Sequence, residues 1–165
     1  MMRSSPNSKV VALLKTVILQ NKKTWKALPE NTSTLEEARE CPVPSDNLNR
    51  AHSLIVSLVD KDNLLDKVCS LLGATAITNS IVYPPNTLMG WHTNNDRGGR
   101  RIYYTFTIDE SVFLYKDIES SKVIEDFDDK GWTVRSFDID KRNPFWHSIW
   151  SEGIRFSFGF ITEDN

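Results

Sequence analysis

Cysteine is scarce in this sequence: Cys41 and Cys69 are the only two among 165 residues, far apart and without a CxxC pair. That excludes the disulfide framework of a small secreted domain and makes a reducing, cytoplasmic setting the expectation. Long apolar runs are missing too. Val10 to Leu19 comes nearest, but Lys15 and Thr16 interrupt it and it is far too short to span a bilayer. No small-residue cleavage site makes a signal peptide, so neither a membrane segment nor a leader is expected. Nor is there an excess of charge of one sign: the formal charge is −2 and the pI about 5.9, which gives no global attraction to nucleic acid or anionic membrane. Internal repeats and low-complexity tracts are absent. What is present, 39% apolar and 25% charged residues, suits one soluble domain with a sizeable core.

The chain changes character once. Residues 1–73 read as a helical support segment and 74–165 as a β-rich core, together one globular domain. The first eight residues are polar and expected to fray. Val10 to Leu19 is read as a helix, with an edge strand as the alternative, because periodicity cannot arbitrate in so short an apolar run. Residues 29–44 are rich in Pro, Ser, Thr and Asn around a short acidic turn at 34–40 and read as a connector. Asp46 can cap a helix with Leu48, Ala51, Ile55 and Leu58 on one side, leaving His52 off that stripe. A second helix is expected from Asp62, with Leu65, Val68, Leu71 and Leu72 inward and Gly73 as the left-handed residue that ends it. From Ala74 onward, β-branched and aromatic runs broken by turns predict eight strands: 74–83, 89–94, 101–109, 111–116, 123–127, 132–138, 146–150 and 153–161. Strands at this spacing suggest a sandwich, barrel or jelly roll rather than βαβ units.

Histidine is rare, three residues in all, and two of them sit in β segments: Trp91-His92-Thr93-Asn94 and Phe145-Trp146-His147-Ser148. Side chains alternate faces along a strand, so His92 and Asn94 point the same way and one strand can offer two ligands to one ion. His147, from a distant strand, would complete a facial arrangement with open positions for other ligands. The alternative is that each histidine is an ordinary hydrogen-bonded group. In the last strand Ile154, Phe156, Phe158 and Phe160 form one apolar face, while Arg155, Ser157 and Gly159 form the other. An inward guanidinium must be paired, and a bound carboxylate gripped by Arg155 and the Ser157 hydroxyl would pair it; a solvent-exposed face is the plainer option. Tyr83, running into Pro84-Pro85-Asn86, could donate its hydroxyl to the same ligand or be a core tyrosine.

In this order and spacing the segments resemble the Fe(II)/2-oxoglutarate-dependent dioxygenases, and among them the prolyl-hydroxylase-like branch. The resemblance runs from Ile77 to Ile161 and rests on Tyr83-Pro84-Pro85-Asn86, His92-x-Asn94, Arg142-Asn143-Pro144 ahead of His147, and Arg155-x-Ser157. It implies a double-stranded β-helix, a jelly-roll or cupin-like barrel, with Fe(II) on His92, position 94 and His147. It further implies 2-oxoglutarate as co-substrate, its distal carboxylate on Arg155 with help from Ser157 and Tyr83, and Tyr104 as a further inward polar residue of the third strand. Family members hydroxylate a substrate with O2 while 2-oxoglutarate becomes succinate.

The sequence departs from the pattern at position 94, where the family has Asp or Glu. Asn94 is a neutral ligand, which lowers affinity for a divalent ion; Asp96, brought back by the loop after Asn94, or a water, are the alternatives. The Gly-Gly-Glu-Thr-like stretch of prolyl hydroxylases is replaced by Ser111-Val112-Phe113-Leu114-Tyr115, which argues against a prolyl substrate. The expected function is hydroxylation of an unidentified peptide, nucleic-acid base or small molecule. Its alternatives are a ligand- or partner-binding barrel without turnover, and a cupin-like metal protein without 2-oxoglutarate, against which Arg155-x-Ser157 argues. Loops at 95–100 and 119–129 and the tryptophans Trp91, Trp146 and Trp150 are expected to shape substrate access, and the acidic stretch 125–129 to be a solvated face.

Overall fold

The computed structural model describes residues 1–45, 53–94, 96–140 and 142–162. Strands dominate, and eight of them lie close to the expected segments: β3 (Ala74–Tyr83), β4 (Thr87–His92), β5 (Gly99–Thr107), β6 (Ser111–Lys116), β7 (Val123–Phe127), β8 (Gly131–Ile139), β9 (His147–Ser151) and β10 (Arg155–Thr162). Two more were not anticipated. β1 (Met2–Ser4) pairs antiparallel with β8, so the polar start of the chain is tied into a sheet rather than frayed. β2 (Val56–Ser57) pairs with β3, so residues 56 and 57 are extended where the spacing of Ile55 and Leu58 predicted helix. Asp46, Leu48, Ala51 and His52 of that expected helix lie outside the described residues. The other helices form where expected: α1 (Ser8–Gln20) covers the apolar run, α3 (Leu35–Glu40) the acidic turn and α4 (Leu64–Leu72) the segment before Gly73, although Leu71, expected inward, is exposed. A short α2 (Lys22–Lys26) follows α1.

Local chemistry explains the helix ends. The Asn7 side chain accepts from the Lys9 and Val10 amides, and Thr34 and Glu37 form a reciprocal capping box at α3. At α4, which begins at Leu64 rather than Asp62, the Asp60 carboxylate caps, accepting from the Leu64 and Leu65 amides at 3.0 and 2.8 Å. Gly73 closes α4 at φ 62°, a conformation that costs a residue with a Cβ about 1–2 kcal/mol.

The strands form two antiparallel sheets, ordered β1-β8-β5-β10-β3-β2 and β4-β9-β6-β7. They face each other as a jelly roll, and the hydrogen bonding does not close into one continuous barrel. Strand alternation sorts the core into three layers. On the outer face of the larger sheet, Phe156, Phe158 and Phe160 pack with Val82, Tyr104 and Val134 against Val10, Leu14 and Val17 of α1 and Val68 of α4. Each buried phenylalanine contributes about 1.5–3 kcal/mol, which fixes the helices to this sheet. Between the sheets lie Ile81, Met89, Phe113, Phe137, Phe145 and Ile149. Beneath the smaller sheet, Trp91, Trp146 and Trp150 pack with Ala38 of α3. Their indoles are anchored to the connector, Trp91 Nε1 donating to Cys41 O at 2.8 Å and Trp150 Nε1 to Ser33 O at 3.0 Å. All three tryptophans are buried. Among the described residues no helix is long and apolar enough to cross a membrane.

Candidate metal and acid pocket

The inner faces of the sheets enclose a cavity of about 210 Å3, below the roughly 300 Å3 at which ligand pockets usually start, so it suits a small molecule. His92 and His147 line it, with Asn94, Tyr83, Arg155 and Ser157. The two histidines, the last residue of β4 and the first of β9, are register partners, and their ring centroids are 4.1 Å apart. His92 Nδ1 lies 2.7 Å from Gly90 O, and His147 Nδ1 lies 3.0 Å from Phe145 O. A carbonyl only accepts, so each Nδ1 donates, and in the neutral ring this leaves Nε2 as the lone-pair nitrogen, the tautomer a metal ligand needs. The His147 ring is also stacked on Phe113, centroids 5.2 Å apart. Packing and hydrogen bonds thus hold both imidazoles in orientation.

Asn94 completes this end. Its Nδ2 donates to Tyr103 Oη at 3.1 Å and meets His147 Nε2 at 3.2 Å. Rotating the amide brings Oδ1 to the same point, so two imidazoles and one amide oxygen can converge on an ion. That neutral donor set fits a divalent metal of borderline softness, with no formal charge to strengthen it. Asp96 does not join them: its side chain is 87% exposed and lies 3.7 Å from Arg101. Arg101 in turn donates to the Asn94 and Arg97 carbonyls at 2.9 and 2.7 Å, pinning the loop that carries Asp96 away from the histidines. Among the described residues no group of three or more His, Cys, Asp and Glu side chains could hold a metal.

The opposite end is built on the larger sheet. Arg155 pairs in register with Tyr83 and Thr107, and Ser157 with Ile81 and Thr105, so both face inward as their alternation predicted. The expectation that a bound acid must supply the partner of Arg155 is corrected. Asp128, from the turn after β7, accepts from Arg155 Nε at 3.0 Å and also pairs with Arg135. Burial alone would push the Asp128 carboxyl up, but Arg155 and Arg135 outweigh it and hold the group at about 2. Arg155 Nη2 donates to Thr105 Oγ1 at 3.2 Å, and the guanidinium lies 5.1 Å from the Tyr83 ring centroid. With about five N–H donors on a guanidinium, donors remain for a ligand. Burial raises the Tyr83 hydroxyl to about 12, against the pull of Arg155, so it stays a donor; it points at Met89 Sδ, 3.5 Å away, a weak acceptor that a ligand oxygen can replace.

Tyr104 is not in this pocket. It lies in the helix-facing core, and its hydroxyl accepts from the Asn7 amide at 3.4 Å. The neighbouring Tyr103 lines the cavity instead, because alternation sends adjacent residues of β5 to opposite faces. Arg135 and Asp128 were also missed. Arg135 was detectable by the signal that exposed Arg155, since Trp132 and Val134 mark the outer face of β8 and Arg135 falls on the other. Asp128 was hidden inside an acidic run read as solvated; Asp129 fits that reading, but the Asp128 side chain is fully buried. Asn79 Oδ1, also on the pocket wall, is buried without a hydrogen-bond partner among the described residues and offers an acceptor to a ligand.

Gly159 gives Tyr103 its place: a Cβ there would come within 2.7 Å of Tyr103 Cε1 and would also meet Thr78 Oγ1. Gly159→Ala is expected to cost about 1–3 kcal/mol by overpacking and to dislodge the Tyr103 hydroxyl from Asn94. Urea denaturation together with tyrosine fluorescence checks both effects.

No family model matches the sequence, and no curated protein matches it. Among solved structures, a Pseudomonas putida prolyl-4-hydroxylase superposes with a TM-score of 0.50 at 14% identity, covering 93% of this chain and 88% of that one. OsALKBH1 (TM-score 0.41, 12% identity, 96% of this chain and 66% of that one) and a family 29 carbohydrate-binding module (0.32, 14%, 53% and 76%) superpose too loosely to bear on function. The prolyl-4-hydroxylase match speaks for the fold alone, and on that ground the chain shares the jelly-roll fold of the branch its sequence resembles.

Proposed function

We propose that the chain is an Fe(II)- and 2-oxoglutarate-dependent dioxygenase that hydroxylates a substrate not yet identified. The observation that carries this reading is the pair His92 and His147, each fixed through Nδ1 to a carbonyl, lining one small cavity with Arg155. His92, His147 and the Asn94 amide would hold the iron; Arg155, Ser157 and the Tyr83 hydroxyl would hold the distal carboxylate of 2-oxoglutarate. When bound, iron and 2-oxoglutarate supply the activation of O2 that hydroxylates substrate. The chain's own residues orient these groups and keep water away: Phe113 lines the cavity and is backed by Phe137 and Phe145 of the inter-sheet core, the three ring centroids lying 4.4 to 6.4 Å apart. At about 210 Å3 the cavity accommodates a small acid, so the primary substrate would approach at its mouth.

A second reading, a ligand-binding jelly roll without turnover, has its own support. Asn94 supplies no charge, and Asp128 already pairs with Arg155. Both readings keep the acid pocket; they part on oxidation. Under the first, the protein with Fe(II) and 2-oxoglutarate forms succinate in air without added substrate, and His147→Ala abolishes it. Succinate formation no faster than that of His147→Ala would reject the dioxygenase and leave the binding module.

A further inference from the structure

Asp128 is held in place more firmly than a solvated acid would be. Its Oδ2 accepts from Ser111 Oγ at 2.6 Å as well as from Arg155, and its amide donates to Ser111 O at 2.9 Å. Arg135, its second cation, continues outward: Nε donates to Asp126 at 2.6 Å, and Asp126 pairs at 2.9 Å with Arg3 of β1. Positive and negative groups therefore alternate from the pocket to the surface, Arg155, Asp128, Arg135, Asp126, Arg3. Arg155 and Arg135 line the pocket, whereas Asp128 stands behind them, outside its wall. An acid entering from the pocket side therefore meets a guanidinium whose charge is already shared, in surroundings where nearby charges are poorly screened.

We propose that Asp128 is an internal counter-ion that attenuates acid binding at Arg155, so that the pocket retains a dicarboxylic acid only when its other end is held at the histidine pair. This rests on the function proposed above and adds to it a residue that sets selectivity. A simple carboxylate, held only at the Arg155 end of the pocket, exchanges freely; a dicarboxylate engaged at both ends stays. Asp128 is a positioning residue, acting on the ligand through Arg155 and not by contact.

The test uses metal-free protein and succinate as probe, with affinity read by calorimetry. Wild type is expected to bind weakly, and Asp128→Asn on the order of tenfold more tightly, since removing one charge beside a buried guanidinium strengthens its pull on an anion. Should Asp128→Asn not fold, Asp126→Asn takes its place: Asp126 is on the partly exposed side of the ladder, and without it Arg135 draws more on Asp128 and frees Arg155. Its expected gain is about two- to fivefold in the same direction. Unchanged or weaker succinate binding in whichever variant folds would overturn the proposal, as would an equal gain in Asp129→Asn, whose exposed carboxylate has no contact with Arg155. No iron is present, so a gain in succinate affinity upholds this inference even if the protein proves unable to oxidise 2-oxoglutarate.

Discussion

Asp128→Ala is expected to lose about 3–5 kcal/mol of stability at neutral pH, because it strands two buried guanidiniums at once. Arg135 and Arg155 are each 2% exposed at the side chain, and the carboxylate they share is fully buried. Domains of ordinary size are stable by about 5–15 kcal/mol, so such a loss brings this one close to unfolding. The same pairing fixes a pH dependence. The carboxyl is held at about 2, below its unfolded value near 3.8, so its contribution is complete above pH 4 and is lost as pH falls toward 2. A shift of this size amounts to on the order of 2 kcal/mol. Urea midpoints of wild type and Asp128→Asn, compared between pH 5 and pH 2, check the sign: the gap between them should narrow as the solution is acidified. A gap that stays constant would show that Asp128 is not ionised in the folded state.

The second large effect is expected at Asn94. Asn94→Asp places a formal charge among the neutral donors of His92 and His147, and affinity for Fe(II) or Mn(II) should rise on the order of tenfold or more, as carboxylate count tunes divalent-ion sites. Tyr103, now 3.1 Å from the amide, can donate its hydroxyl to the new carboxylate and hold it in place. Asp96→Asn should leave metal affinity unchanged, since that side chain is 87% exposed and turned toward Arg101. Competitive metal titration distinguishes the two positions. A loss of affinity in Asp96→Asn with none gained in Asn94→Asp would mean the loop rearranges to bring Asp96 to the ion.

The strands were legible because Ser111–Lys116 concentrates β-branched and aromatic residues and the start of Arg155–Thr162 alternates polar or small with aromatic residues. Alternation also put Arg155 and Ser157 on the inner face, and it would have done the same for Arg135. Failures occurred where local pattern carries little information. Met2–Ser4 is exposed throughout and forms a strand only because β8 offers an edge and Asp126 and Asp129 offer partners to Arg3. Val56–Ser57 is extended because β3 pairs with it, whatever the helical spacing of its neighbours. Tyr103 and Tyr104 differ by one residue and so by one whole face of the sheet, and choosing between them needs the register with β10. Asp128 was out of reach for a different reason. A run of acids is usually solvated, and only the fold shows that the turn after β7 buries one of them between two arginines.

The proposed activity depends on His92 and His147 holding one metal ion in a pocket shared with an acid gripped by Arg155. Anaerobic titration of the protein with Fe(II) and 2-oxoglutarate tests it most directly. A visible charge-transfer band is expected that appears only when both are present, disappears in His147→Ala and needs much higher 2-oxoglutarate in Arg155→Met. No band at any concentration of iron and 2-oxoglutarate, from protein shown to be folded, would contradict it.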